Sequence, residues 1–148
     1  MSRPSLDESY LAVAKIWAER STCRRKKVGC VIVDQNGEQL SFGYNGANHG
    51  EDHCLDEGCL INNEGRCIRC NHAEINALLK EKKDVFKGAT VYATVEPCEN
   101  CTRTLAQVGI RRVVYIESYP NPYNHHFNKN MEWQQWVEPK EVKDDGAF

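Results

Sequence analysis

The chain has 148 residues, 41% of them hydrophobic and 27% charged, with a formal net charge of −2. That is the size of one ordinary domain with a real core and the balance of a soluble globular protein. It excludes a membrane span and a global field for nucleic acid; with no secretion-signal pattern at the N-terminus, a cytoplasmic setting is expected, where eight cysteines point to metal before disulfides.

Ser5-Leu6-Asp7-Glu8 reads as a capping box, and Leu6, Tyr10, Val13 and Trp17 then recur at helical spacing, predicting a first helix to about Arg20. Val28 to Val33 and Gln39 to Tyr44 read as two strands with Asn36-Gly37 as the hairpin turn. Residues 45–70 carry glycines, asparagines and acidic residues, hold four of the eight cysteines, and read as irregular. A second helix is predicted from His72 to about Lys82, then a strand from Ala89 to Val95. A third helix runs from Cys98 to Gln107, with Pro97 in its first turn and Gly109 as its stop, followed by a strand from Arg112 to Ile116. Met131 to Val137 suggests a short helix, and the last few residues are expected to be loose. Strands alternating with helices after a hairpin imply a three-layer α/β/α sandwich around a mixed sheet of about five strands. One domain spanning residues 1–148 is expected, with a cysteine-rich insertion at about 47–70.

The chemistry concentrates between His72 and Cys101. Asn71 through Glu74 alone also reads as a capping box, with Glu74 reaching back to Asn71. Cys98 and Cys101 alone read equally as a redox pair or half of a structural zinc site. Together, His72, Cys98 and Cys101 make a three-ligand set for zinc with the fourth tetrahedral position open, which is the form of a catalytic site. Glu74 is then free to move protons, and His-x-Glu with a later Pro-Cys-x-x-Cys is the pattern of zinc deaminases. Both halves sit at predicted helix starts, whose partial positive charge favours thiolates and a bound hydroxide.

With these residues in place the chain resembles the cytidine deaminase superfamily, and within it the deoxycytidylate (dCMP) deaminases of bacterial and phage type. The resemblance rests on Ser21-Thr22-Cys23, the segment Lys27 to Val33, Gly43-Tyr44-Asn45-Gly46, His53-Cys54 with Gly58-Cys59, the segment His72 to Ala77, and Pro97-Cys98 with Cys101. It covers about residues 8–119. It implies hydrolysis of dCMP to dUMP and ammonia, supplying dUMP for thymidylate synthesis. Glu74 would take a proton from a water acidified by zinc, give it to the ring N3, and later protonate the departing amine.

The same resemblance implies substrate contacts by Asn45, Ala73 and Tyr119. For Asn45 the plain alternative is a turn residue with positive φ; for Tyr119 it is a surface tyrosine at a strand end. Arg24, Arg25, Lys26 and Lys27 form a basic run that is either a solvated cluster or the partner of the substrate phosphate, with Lys27 the chosen candidate. The family further implies a homohexamer, activated by dCTP and inhibited by dTTP, with Mg2+ accompanying triphosphates; Lys80 and Lys83 are candidates for effector phosphates. Cys30 is expected in the core. Cys23, Cys54, Cys59, Cys67 and Cys70 remain, and the resemblance implies a second, structural zinc with ligands matching Cys23 and Cys54. Four thiolates complete such a site, so one of the five is spare. Cys67-x-x-Cys70 has good chelate spacing, Cys59 matches a family position, and His53 reads as polar filler. The competing readings are a deaminase acting on tRNA or DNA and a non-catalytic zinc module supporting a DNA-uptake or scaffold surface.

Overall fold

The computed structural model describes residues 2–138. Helix α1 spans Leu6–Ala18, and the Ser5 hydroxyl caps it by accepting from the Glu8 N–H at 3.1 Å. Its buried stripe is Leu11, Ala14 and Ala18, while Leu6, counted in the predicted stripe, is 58% exposed. Tyr10, Val13 and Trp17 of that predicted stripe pack partly buried against the same core, and the deepest line falls on the alanines because the packing is close. Ala14 and Ala18 let α1 approach strand β1 (Gly29–Val33) so nearly that a Cβ on Gly29 would lie 2.1 Å from the Ala14 carbonyl oxygen.

Strand β2 (Gln39–Tyr44) pairs antiparallel with β1. The turn between them is not a two-residue Asn-Gly hairpin, because no described non-glycine residue has positive φ. Asp34 and Glu38 close the loop by a backbone bond, Gly37 N–H donates back to the Asp34 carbonyl, and Gly37 sits at φ +83°. That is a type I turn completed by a left-handed glycine. The Asp34 carboxylate accepts from the N–H groups of Asn36 and Glu38, which favours this longer form.

The remaining central strands are β5 (Thr90–Val95), β6 (Arg112–Glu117) and β7 (Glu132–Gln135). The sheet order is β2-β1-β5-β6-β7; β1 is antiparallel to β2 and β5, while β5, β6 and β7 run parallel. β1 is buried along its whole length, as a central strand covered on both faces must be. Helices α3 (Ala73–Leu78) and α4 (Glu99–Val108) cover the face opposite α1. The expected α/β/α sandwich with a mixed five-stranded sheet is therefore found. No helix among the described residues is long and apolar enough to cross a membrane.

Three predicted elements differ. Met131 to Val137 is not helical; it contains β7, which extends the sheet beside β6. Trp133 packs into the core under α3 and α4, and Trp136 packs into the core under α1. A strand places residues three apart on opposite faces, whereas a helix would put them on one. The second predicted helix ends at Leu78 rather than Lys82, since the chain must turn there to bring Phe86, fully buried, into the core through a 3-10 turn at Lys83–Phe86. Pro97 precedes the cap of α4 instead of entering its first turn, and Gly109 ends that helix at φ +88° as expected.

Residues 45–70 are not wholly irregular. Short strand β3 (Gly46–Ala47) pairs with β4 (Cys70–Asn71), a one-turn helix α2 spans Cys54–Glu57, and Ile61 bridges to Cys67. The last few residues, expected to be loose, lie outside the described residues.

Candidate active site

Two helix starts meet at the carboxyl ends of the central strands. His72 caps α3 and Cys98 caps α4, and neither side chain bonds its own helix. They are free to turn toward each other. The His72 Nδ1 lies 3.4 Å from the Cys98 Sγ and 3.3 Å from the Cys101 Sγ. A tetrahedral zinc with Zn–S of about 2.3 Å and Zn–N of about 2.0–2.1 Å separates such donors by about 3.5 Å. The donor atoms lie within 4.8 Å of one another, and soft sulfur with imidazole is the chemistry zinc takes. These residues fit the ion with a coordination position to spare.

The Asn71 capping box is overturned. Asn71 lies in β4 and donates its side-chain amide to Asn48, while Glu74 is turned inward, 3% exposed, beside the Cys101 thiol. Burial raises the Glu74 carboxyl above the ordinary glutamate range, partly opposed by its own backbone N–H and by His72. A hydrogen bond from Cys101, helped by His72, holds Cys98 down to about 4 against its burial. Cys101 is pushed up by Cys98 and by burial, and Cys98 raises His72. An imidazole, two cysteine sulfurs and a buried carboxyl thus lie together, next to two helix N-termini that favour negative charge.

A second cluster forms in the insertion. The Cys54 Sγ is 3.6 Å from Cys67 and 3.2 Å from Cys70, and the three sulfurs lie within 4.8 Å of one another. Cys59 lies against Cys54 and Cys67, and Cys23 lies against Cys70. All five cysteines considered in the sequence therefore gather here, and Cys30 is fully buried in the core as expected. Burial and the Cys70 and Cys67 thiols push Cys54 up to about 12. At Cys67 burial is outweighed by backbone N–H groups of Arg69 and Cys70, which bring it down to about 7.

Asn45, 7% exposed, does not have positive φ. Its Oδ1 accepts from the Val28 N–H and its Nδ2 donates to the Lys26 carbonyl, so it fixes the end of the basic run. In that run Arg24 donates to the Leu55 carbonyl, Arg25 to the Gly65 carbonyl, and Lys26 pairs with Glu117; Lys27 is exposed. Ala73 is fully buried at the first position of α3, where a backbone N–H has no intrahelical acceptor. Tyr119 follows β6, half exposed, with its N–H donating to Glu96 Oε1. Lys80 is held by the Phe42 carbonyl and ring, while Lys83 lines a surface cleft of about 440 Å³ with Lys87 and Gln107, remote from His72 in the fold. His53 caps α2 through its backbone position and makes no side-chain cap.

Sequence reasoning missed the groups that shape the corner before α4. Glu96 accepts from the Tyr119 N–H, the Ser118 hydroxyl and the Trp133 indole. Glu99 accepts from Asn121 and Arg66, joining the tail and the insertion to the start of α4. Asn124 is 4% exposed in a 3-10 turn at Asn124–His126 and reaches the Pro97 carbonyl. Glu96 beside Pro97-Cys98 was a visible signal; the tail residues offered none.

Fold and donor set together define a class, the α/β/α domain that presents a His-Cys-Cys site with a buried glutamate. Residues 4–117 match the family described as cytidine and deoxycytidylate deaminase zinc-binding region, and the chain belongs to that family. It is 40% identical over 126 residues to the ComE operon protein 2 of Bacillus subtilis, covering 83% of this chain and 66% of that protein. It is 41% identical over 126 residues to a deoxycytidylate deaminase of a Mycobacterium phage, covering 78% of this chain and 97% of the relative. The dCMP deaminase of a cyanophage, solved with dCMP and dUMP, superposes with a TM-score of 0.75 at 27% identity, covering 92% of this chain and all of that one. The chain spans less than two thirds of the length of the first relatives it matches.

Proposed function

We propose that this chain hydrolyses dCMP to dUMP and ammonia. The observation that carries the reading is the convergence of His72, Cys98 and Cys101 on one point beside the buried Glu74. Likeness to deoxycytidylate deaminases, one of them solved with dCMP and dUMP, supports the substrate. His72, Cys98 and Cys101 hold zinc, which when bound acidifies water and supplies a nucleophile at neutral pH. Glu74 takes the proton from the attacking water and delivers it to the pyrimidine N3. The carboxylate then takes the second proton, from the new C4 hydroxyl, and passes it to the amino group, so that the C4–N bond breaks, ammonia leaves, the C4 carbonyl forms and Glu74 returns to its carboxylate state. Burial suits Glu74 to this exchange by holding its proton affinity above that of an exposed glutamate. In this reading Asn45, Ala73 and Tyr119 contact the substrate and Lys27 meets its phosphate.

In the same reading Cys54, Cys67 and Cys70 hold a second, structural zinc with a fourth thiolate from Cys23 or Cys59, and Cys23 in that place ties segment 47–70 to the end of α1 in one deaminase domain. Free thiols throughout suit a cytoplasmic protein. Family likeness supports a homohexamer activated by dCTP and inhibited by dTTP, with Mg2+ on the triphosphates and Lys83 as an effector contact; Lys80 is committed to Phe42. The test is ammonia release from dCMP, dCTP and deoxycytidine, each with and without dCTP or dTTP. Turnover of dCMP fastest of the three supports the reading; no turnover of any by zinc-loaded protein refutes it.

A further inference from the structure

The corner that carries Cys98 is held from outside the matched family region. Asn124 lies beyond residue 117, where the family match ends, and is 4% exposed. Its Nδ2 donates to the Pro97 carbonyl at 2.8 Å, and its Oδ1 lies 3.1 Å from the Thr102 hydroxyl. Thr102 has no exposure, and the single proton of that hydroxyl is shared between Asn124 Oδ1 and the Cys98 carbonyl, which lies nearer at 2.8 Å. The Thr102 N–H reaches the same oxygen at 2.8 Å.

The Pro97 carbonyl belongs to the peptide plane before Cys98, and the Cys98 carbonyl belongs to the plane after it. Each plane is rigid, so the two rotations between them are the only backbone freedom that aims the Cys98 side chain. Asn124 holds the first plane and Thr102 the second, and each also contacts the other. With both planes held, the Cα–Cβ direction of Cys98 is fixed, and with it the line along which its sulfur meets His72. Residues beyond a ligand that fix its orientation affect metal affinity or activity by about 10–100-fold.

We infer that Asn124 and Thr102 are positioning residues for Cys98, acting through the two peptide planes that flank it. This rests on the reading of Cys98 as a zinc ligand. Burying two polar side chains against each other is costly unless every bond is made, so this device is sensitive to single-atom changes.

The experiment measures zinc release from the full-length, zinc-loaded protein to a chromogenic chelator, alongside kcat and KM for dCMP and Tm. Cys98→Ser first identifies the release phase that belongs to this site. Asn124→Asp replaces the donor to Pro97 with an acceptor, Thr102→Val removes the hydroxyl at equal size, and Thr102→Ser restores it. The expected result is release about tenfold or more faster in that phase for Asn124→Asp and Thr102→Val. kcat falls by a similar factor, KM stays within about twofold, and Thr102→Ser returns both release and kcat to wild type. A core variant, Val33→Ala, lowers Tm without altering the release phase, separating positioning from general loosening. Wild-type release in Asn124→Asp and Thr102→Val, or equal acceleration by Val33→Ala, overturns the proposal alone. If Cys98→Ser changes no phase, the zinc reading falls and this proposal with it.

Discussion

Gly43→Ala tests how close packing sets the site. Gly43 on β2 faces α3, and an added Cβ would lie 2.1 Å from the Ala73 carbonyl oxygen and 2.7 Å from the Ala77 N. Ordinary contact for such atoms begins near about 3.4 Å, so the helix must move by about 1 Å or more, at a cost of about 1–3 kcal/mol. For a protein of this size that lowers Tm by roughly 3–12 °C. The moved segment carries His72 and Glu74 on either side of Ala73, and a 1 Å misplacement of reacting groups can cost about 100-fold in rate. Gly29→Ala is the matched control. Its Cβ would lie 2.1 Å from the Ala14 carbonyl oxygen and 2.5 Å from the Ala18 N, pushing α1 off the other face of the sheet. Thermal unfolding and kcat/KM for dCMP, read well below both melting points, should show similar Tm losses. Activity should fall about 100-fold for Gly43→Ala alone. Equal activity losses in the two variants, or full activity in a destabilised Gly43→Ala, would refute the claim that α3 placement limits catalysis.

The Asp7 carboxylate accepts from both terminal nitrogens of Arg112, at 2.8 and 2.7 Å, and from the Tyr92 hydroxyl at 2.7 Å. Arg112 holds its carboxyl below the ordinary aspartate range. A group whose folded pKa is depressed stabilises above its unfolded value, near 3.8, and that contribution is lost as pH falls through the lower folded value. Asp7→Asn should therefore cost about 2–3 kcal/mol at pH 7 in denaturant titrations, with the gap narrowing below pH 4; a gap independent of pH would contradict this. Metal analysis should find two zincs per chain, and Cys67→Ser should leave one; a wild-type value of one removes the structural site. Lys27→Glu should raise KM for dCMP about tenfold or more while sparing deoxycytidine, as expected when a charged hydrogen bond to phosphate is lost. Equal effects on the two substrates would dismiss Lys27 as the phosphate partner.

What the sequence revealed and what it hid divide along physical lines. Strand β1 was legible because a run of apolar residues must be covered on both faces, and α4 because Gly109 stops it with a left-handed turn. His72, Cys98 and Cys101 were legible because metal chemistry constrains residue type and local spacing together. β7 was not. Its four residues form an edge strand with little alternation of polarity, and only the pairing with β6 decides between strand and helix. On α1 the predicted Tyr10, Val13 and Trp17 pack against the core, but the deepest contact was hidden because alanines, weak in any hydrophobic pattern, make the close approach to Gly29. Asn71 looked like a helix cap and instead bonds Asn48 from a short strand, a long-range choice that local pattern does not encode. Asn124 and Glu96 act through backbone carbonyls and N–H groups distant in sequence, which no spacing rule reports.

Ammonia release from dCMP by wild-type protein and by Glu74→Gln, each with its zinc content measured, tests the account most directly. The expected outcome is rapid turnover by the wild type and an unchanged zinc content in the variant, with kcat lower by at least about 10²–10⁴-fold. Near-normal turnover by a zinc-loaded Glu74→Gln would contradict the assignment of its carboxylate as the proton carrier.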